Sequence, residues 1–388
     1  MDLNQILVEA LSQEASDVHI KVGTPPIFRV NGVLKAWNKL KPFDTNDVSK
    51  MAFDLMNDWQ KERFIKNREV DMGYEVYGLG RFRINVFQQR GKMRICLRIV
   101  PYQIKSLGEL HLPGVLKDIA LEQRGLILVT GTTGSGKSTT LASMTDIINN
   151  HRNCHIITIE DPIEFIHEDK KSIVDQREIG QDTSTFSAAL RVALRQDPDV
   201  ILVGEIRDAE TAEIAVRAAQ TGHLVFATLH TNDSISAITR LLEMKIEPFL
   251  VGASLVGSIA QRLAQRICRH CRTEDTRIEK DIRAEMAQAL GIAPKQVKAW
   301  TGVGCVECNQ KGYRGRVGLY EFFILNDEIA DRLEPGVKTG QLREVASRYG
   351  WRSLRSLGWR KVQNGLISIA EVQRLTRRVK LGAQEKAA

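Results

Sequence analysis

Gly125-Leu-Ile-Leu-Val-Thr130 runs directly into Gly131-Thr132-Thr133-Gly134-Ser135-Gly136-Lys137-Ser138, and Thr139-Thr-Leu-Ala-Ser-Met144 follows. The first six residues read as a buried strand and the last six as the start of a helix. Between them lies the glycine spacing of a phosphate-binding loop, in the strand–loop–helix context that such a loop requires. Glycines let the backbone curl until its N–H groups point inward at a phosphate, and the helix dipole points the same way. Gly131, Thr132, Thr133, Gly134, Ser135, Gly136, Lys137, Ser138 and Thr139 are therefore candidate nucleotide-binding residues. Lys137 would reach the β- and γ-phosphates, and the Ser138 hydroxyl would hold Mg²⁺. Outward from this loop, His155-Ile-Ile-Thr-Ile159, Val200-Ile-Leu-Val203 and Leu224-Val-Phe-Ala-Thr228 are again short and apolar, and helical patterns separate them. Such an alternation implies an α/β domain whose parallel sheet is covered on both faces.

The apolar runs end in chemistry. Val203 is followed by Gly204-Glu205, and an acid at the end of a buried strand beside a phosphate loop is positioned for Mg²⁺ or its water shell. Thr158-Ile-Glu160-Asp161-Pro162-Ile-Glu164 carries three carboxylates whose mutual repulsion calls for a cation or a water network. They read as a general base or water-positioning group near a γ-phosphate, or else as an acidic solvent loop. His223 and His230 bracket the run 224–228; two histidines on a strand of a nucleotide-binding sheet suggest a γ-phosphate sensor, where one alone would more often be structural.

Cys268-Arg-His-Cys271 and Cys305-Val-Glu-Cys308 are two Cys-x-x-Cys knuckles with 33 residues between them. Four thiolates so arranged suit a tetrahedral, closed, structural Zn²⁺ site; paired motifs argue against the redox alternative. Cys96 and Cys154 lie in apolar strand contexts and read as packing residues.

The chain has 388 residues, with 43% hydrophobic and 26% charged, which excludes wholesale disorder and leaves room for two domains. The net charge of +8 includes a basic C-terminal stretch (Arg352, Arg355, Arg360, Lys361, Arg374, Arg377, Arg378, Lys380). That surplus suits nucleic acid, anionic lipid, an acidic protein or simply a solvated surface. Met1–Ala10 lacks the pattern of a signal peptide, and no stretch approaches the roughly 18 apolar residues of a spanning helix, so a cytoplasmic or membrane-peripheral protein is expected.

Residues 1–104 read as a small mixed unit. Leu3, Ile6, Leu7 and Leu11 have helical spacing, and a further helical stretch surrounds Val48–Phe64. Val18–Ile20 and Ile27–Val30 read as strands, with Asn31-Gly32 as a hairpin turn before Val33-Leu34. Arg81–Phe87 and Met93–Val100 alternate with period two and predict an antiparallel pair. Residues 101–113 look like a linker before a helix near Val115–Leu121, and Gly382–Ala388 reads as a frayed end.

Taken in order, the P-loop, Glu160-Asp-Pro-Ile-Glu164, Gly204-Glu-Ile-Arg-Asp208 and Thr221-Gly-His223…Thr228-Leu-His230 resemble the secretion-motor ATPases of type II secretion and type IV pilus systems, along nearly the whole chain. In that family the last three elements are the Asp box, the Walker B and the His box. The resemblance implies a homohexamer of RecA-like P-loop NTPase domains spanning 122–388, with a zinc-binding insertion at about 264–322 and C-terminal helices. A PAS-like α+β domain at 1–104 and a linker with its lead-in helix at 105–121 would precede it. It implies ATP as substrate and Mg²⁺ and Zn²⁺ as metals, Glu164 as the water-activating base, Glu205 as the Walker B acid, and His223 and His230 as the His box. Family members also bring arginines from the N-terminal domain to the nucleotide, and Arg83 and Arg98 on the paired strands fit that role; alternation alone leaves open whether they merely face solvent.

The same resemblance implies docking on an inner-membrane platform protein of a bacterium, with peripheral membrane contact and no nucleic acid. The four cysteines and the run Leu342–Val372 look like the assembly and secretion branch. Ala15–Ile20, Pro25–Gly32 and the lack of a long extra N-terminal region look like the retraction branch. Assembly is the expectation, retraction the alternative. A nucleic-acid-translocating motor and a nucleotide-binding regulator without turnover are the readings from other classes. DNA-stimulated, salt-sensitive hydrolysis would mark the first.

Overall fold

A computed structural model describes residues 3–30, 32–100 and 104–376. The chain divides into two units, Met1–Ile104 with Glu160–His167, and Lys105–Ile159 with Glu168–Ala388.

The first unit runs α1 (Leu3–Ser12), β1 (Asp17–Lys21), β2 (Ile27–Val30), β3 (Val33–Ala36), α2 (Thr45–Asp54), α3 (Asp58–Asn67), β4 (Glu69–Val76), β5 (Gly80–Gln89) and β6 (Lys92–Val100). Its strands form one antiparallel sheet in the order β3-β2-β1-β6-β5-β4. Period-two alternation sends Val18, Ile20, Phe82, Ile84, Val86, Ile95 and Leu97 to one face, where they share a core with Ile6 and Leu7 of α1, Val48 of α2 and Phe64 of α3. The expected β5–β6 pair forms, closed by Arg90-Gly91. Both residues have positive φ (51° and 72°) between Gln89 and Lys92, as a two-residue hairpin turn requires. The helical stretch around 48–64 is two helices rather than one. Asn57 ends the first by capping the second: its side chain accepts from the Gln60 N–H while Gln60 Oε1 accepts from the Asn57 N–H. β2 and β3 pair as expected, with Val30 opposite Val33, although Asn31 of their turn lies outside the described residues.

The second unit runs α4 (Val115–Ala120), β7 (Gly125–Thr130), α5 (Lys137–His151), β8 (His155–Glu160), β9 (Ile173–Glu178), α6 (Phe186–Ala193), β10 (Val200–Val203), α7 (Ala209–Gln220), β11 (Leu224–Leu229), α8 (Ile235–Glu243), α9 (Pro248–Ser254) and β12 (Leu255–Ile267). It continues with β13 (Arg272–Glu274), α10 (Lys280–Leu290), β14 (Trp300–Gly302), β15 (Tyr313–Ile324), α11 (Asp327–Ala330), α12 (Thr339–Arg348), α13 (Leu354–Gln363) and α14 (Ile369–Leu375). The large sheet has the order β15-β12-β7-β11-β10-β8-β9.

β12, β7, β11, β10 and β8 are successively parallel, as the apolar runs predict, and both faces are covered. Leu126 and Leu128 of β7 enter one core with Ile201 and Val203 of β10 and Val225 and Ala227 of β11. Ile127, Val129, Val200, Leu202, Leu224 and Phe226 enter the opposite one. The sheet is nevertheless mixed, because β15 pairs antiparallel with β12 at the edge. Those two long strands escape a search for apolar runs: they carry Gln261, Arg262 and Glu321, all of them buried. Among the described residues no helix is long and apolar enough to cross a membrane. Pro101 of the expected linker, the basic residues Arg377, Arg378 and Lys380, and Gly382–Ala388 lie outside the described residues.

Candidate functional site

The loop between β7 and α5 is built on two glycines that no other residue can replace. Gly131 has φ 150° and Gly136 φ 92°. A Cβ on Gly131 would stand 2.5 Å from Ser135 Oγ and 2.6 Å from the Gln261 carbonyl; one on Gly136 would stand 2.7 Å from Gln261 Nε2. Thr132, Thr133 and Gly134 form the exposed rim, while Ser138 and Thr139 sit in the first turn of α5. Lys137 folds back over the loop and donates from Nζ to the carbonyls of Gly131 (2.9 Å) and Thr132 (3.4 Å).

The arrangement fits a phosphate. Gly136 is the N-cap of α5 and offers no side-chain cap, so the N-cap itself places no carboxylate or hydroxyl at the start of the helix. The hydroxyls of Thr130 and Ser135 are buried with no hydrogen-bond partner, the kind of orphaned polar atom that a ligand satisfies.

Parallel register fixes what else reaches this edge of the sheet. Thr130 of β7 lies opposite Leu229 of β11, and Ala227 of β11 opposite Val203 of β10. The P-loop, the segment after β11 and the segment after β10 therefore all leave from the carboxyl edge, where open α/β sheets bind ligands. Thr228 Oγ1 donates to the Gly204 carbonyl at 2.6 Å and the Ile206 N–H to the Thr228 carbonyl at 2.9 Å, which pins the Glu205 turn against β11. Glu205 Oε1 lies 3.1 Å from His230 Nε2, and Glu205 Oε2 lies 2.8 Å from Arg207 Nη2. Two elements singled out separately from the sequence, Glu205 and His230, thus meet. Arg207 completes the cluster; it lies inside the Gly204–Asp208 run, yet its role was not legible there.

His223 is not brought to this edge. It precedes β11 on the side where Leu224 faces Gly125, the opposite end of the sheet from Thr130. The strand holds the two histidines, seven residues apart, at about 23 Å for roughly 3.3 Å per residue. His223 Nδ1 instead lies 2.9 Å from the Ala218 carbonyl at the end of α7. Within one chain the two histidines therefore lie at opposite ends of β11, and only His230 is at the edge from which the P-loop leaves.

Glu160 is the last residue of β8, and the segment Glu160–His167, with Asp161 and Glu164, belongs to the first unit. Asp161 and Glu164 are exposed and Glu160 is half-buried. In the same unit Arg83 and Arg98 are direct cross-strand partners on the face opposite the core. The register continues across the sheet as Arg29, Asp17, Arg98, Arg83. Asp17 separates the arginines in this row, lying 3.1 Å from Arg98 Nε and 3.6 Å from Arg29 Nε.

The four cysteines of the second unit converge, their sulfurs all within 4.8 Å of one another. Cys268–Cys305 is 3.8 Å, Cys271–Cys308 3.9 Å and Cys305–Cys308 3.7 Å. A tetrahedron of metal–sulfur bonds about 2.3 Å long has edges of about 3.8 Å, so the cluster fits such an ion. Burial pushes the Cys308 thiol up, but the N–H groups of Cys305 and Gly312, each 3.2 Å from its sulfur, more than offset this and bring it down to about 7. The 33 residues between the knuckles form α10 and the β13–β14 pair, and α10 packs on α13 through Ile282, Met286, Trp359 and Val362.

The sequence profile described as Type II/IV secretion system protein matches residues 1–374. A type IV pilus retraction ATPase, PilT of Pseudomonas aeruginosa, is 45% identical over 273 residues, covering 69% of this chain and 79% of its own. The type II secretion system protein HxcR of the same species is 37% identical over 389 residues, covering 97% of this chain and 76% of its own. The crystal structure of the pilus retraction motor PilT with bound ADP superposes with a TM-score of 0.80 at 36% identity, covering 98% of both chains.

Proposed function

The chain belongs to the type II/IV secretion system protein family, and from that premise we propose that it is a hexameric, Mg²⁺-dependent ATPase motor that powers assembly of a pilin or pseudopilin fibre at the bacterial inner membrane. The observation that carries hydrolysis is the meeting of Glu205 and His230 at 3.1 Å on the sheet edge from which the P-loop departs. In this reading residues 131–139 cradle the phosphates through backbone N–H groups, and Lys137 leaves its loop carbonyls to neutralise the β- and γ-phosphates. Ser138 and Glu205 would hold Mg²⁺, which would supply charge neutralisation to the phosphates. Glu164 orients the attacking water, His230 reads the γ-phosphate through its contact with Glu205, and Arg83 and Arg98 act as arginine fingers. Glu160 and Asp161 complete the nucleotide-binding set. The second unit is proposed to be RecA-like and the first PAS-like, and the swing between ATP and ADP states would be passed to a membrane platform protein.

Assembly is proposed on the four-cysteine cluster, which resembles that branch and whose spacing suits structural Zn²⁺. One zinc per purified chain is the expected metal content. Retraction is the second reading, favoured by the 45% identity to a retraction ATPase.

Two experiments test this. E205Q should retain nucleotide binding and lose turnover; full turnover in that variant would sink the site assignment. A strain lacking the gene should be bald. Hyperpiliated, non-retracting cells would instead establish the second reading.

A further inference from the structure

β12 carries two polar residues, Gln261 and Arg262, that are only 2% and 5% exposed and that the proposed chemistry does not use. Both back directly onto the P-loop. The Gln261 carbonyl and Arg262 Nη1 are among the atoms that leave no room for a Cβ on Gly131, and Gln261 Nε2 does the same at Gly136. Gln261 Oε1 also accepts from Thr140 Oγ1 in α5 at 2.8 Å. The loop therefore rests at both ends on one residue of a neighbouring strand, on its carbonyl at Gly131 and on its side chain at Gly136.

Arg262 reaches further. Nη1 donates to the Gln261 carbonyl at 2.9 Å, and Nη2 donates to the Asn232 carbonyl at 2.9 Å, two residues beyond His230. The next residue, Asp233, is 2.7 Å from Arg343 Nη2 on α12 and accepts from the N–H and hydroxyl of Ser236. Ser234 donates from its N–H and hydroxyl to Glu321 Oε1 (2.8 and 2.6 Å), and Leu354 N–H donates to Glu321 Oε2 (2.7 Å). Burial holds the Arg262 guanidinium below its ordinary value, and the charges of Glu321 and Asp233 pull it back up. An interior charge that is costly to bury and merely fills space would be replaced at no loss by an apolar side chain. This one spans two separate backbone segments with a rigid planar fork, which a lysine cannot do.

We infer that Arg262 is a positioning residue for nucleotide hydrolysis: its guanidinium fastens β12, the strand against which the rear of the P-loop packs, to the segment after β11, so that the phosphate loop and His230 keep a fixed mutual geometry, and the Asp233–Arg343 pair extends the fastening to α12. The inference rests on the proposed ATPase activity and adds to it a physical link between the phosphate edge and the C-terminal helices.

R262K, made in the full chain and assayed with Mg²⁺ and ATP, retains charge and most of the volume but loses the fork. The expected result is a fall in kcat of about tenfold or more, because small misplacements of a reacting geometry are costly, with KM and the affinity for a fluorescent ADP analogue held within about threefold. A kcat within twofold of wild type would overturn the link. So would a loss of kcat matched by an equal loss of nucleotide affinity, which is what mere loosening of the fold produces. K137A runs in parallel: wild-type hydrolysis there refutes the ATPase reading itself, whereas an inactive K137A beside a fully active R262K refutes only the link. Should R262K not fold, R343Q breaks the half-buried far end of the chain of contacts. A fall in kcat of roughly threefold with unchanged analogue binding is then expected, and wild-type kcat overturns the inference.

Discussion

The two sheets of this protein solve the same packing problem in opposite ways. The seven-stranded sheet buries both faces, Leu126, Leu128 and Ile201 on one side and Ile127, Val129 and Phe226 on the other. No face is left for polar chemistry, so Lys137, Glu205 and His230 leave from one edge. The six-stranded sheet buries one face under its helices and sets Arg29, Asp17, Arg98 and Arg83 in a transverse row on the other. A doubly covered sheet confines function to its rim, and a singly covered one can carry it on a face.

That contrast can be broken by substitution. F226A removes a fully buried ring from the doubly covered sheet and is expected to destabilise the second unit by about 3–5 kcal/mol, measured by denaturant unfolding. V33A, on the exposed edge strand of the other sheet, should stay within about 0.5 kcal/mol of wild type. Equal effects would mean the two sheets are not packed as described. D17A sharpens the comparison on the polar face. It deletes the negative charge between Arg29 and Arg98 and leaves like charges in register, which should cost about 1 kcal/mol. A D17A chain as stable as wild type at low salt would show that the row is held together by something else.

The smallest effect concerns the far margin of the large sheet. Burial lowers the His155 pKa, but its bonds to Asp175 Oδ2 (2.9 Å) and to the carbonyls of Asp197 and Gln196 more than offset this and raise it. A raised histidine pKa favours the protonated fold, so its stabilisation is complete below the unfolded value of about 6.5 and is lost as pH rises through the higher folded value. The melting difference between wild type and H155Q should therefore be larger near about pH 5.5 than near about pH 8.5, and stay under about 1 kcal/mol because Asp175 is largely exposed. A difference growing with pH would contradict the assignment.

Legibility from sequence follows the same division. β7, β8, β10 and β11 announce themselves because continuous apolar runs have no other use in a chain of this composition, and the P-loop glycines are local in sequence. The edge strand β15 and its neighbour β12 are not legible as apolar runs because buried Gln261, Arg262 and Glu321 interrupt their hydrophobicity, and a buried polar residue is explained only by partners distant in sequence. Gln261 bonds to Thr140, 121 residues away. The face on which Arg83 and Arg98 lie could not be read from alternation, because a one-residue slip reverses it; the register with Asp17 fixes it. The break at Asn57 was missed because its capping box interrupts two helices whose apolar spacings happen to be in phase.

β11 has a use beyond its place in the sheet. It carries an imidazole at either end, one beside Glu205 and one against the Ala218 carbonyl. In a spectrum of ring protons, the resonance of His230 would respond to whatever occupies the phosphate edge while that of His223 would stand still. One strand thereby supplies a probe and its own internal reference.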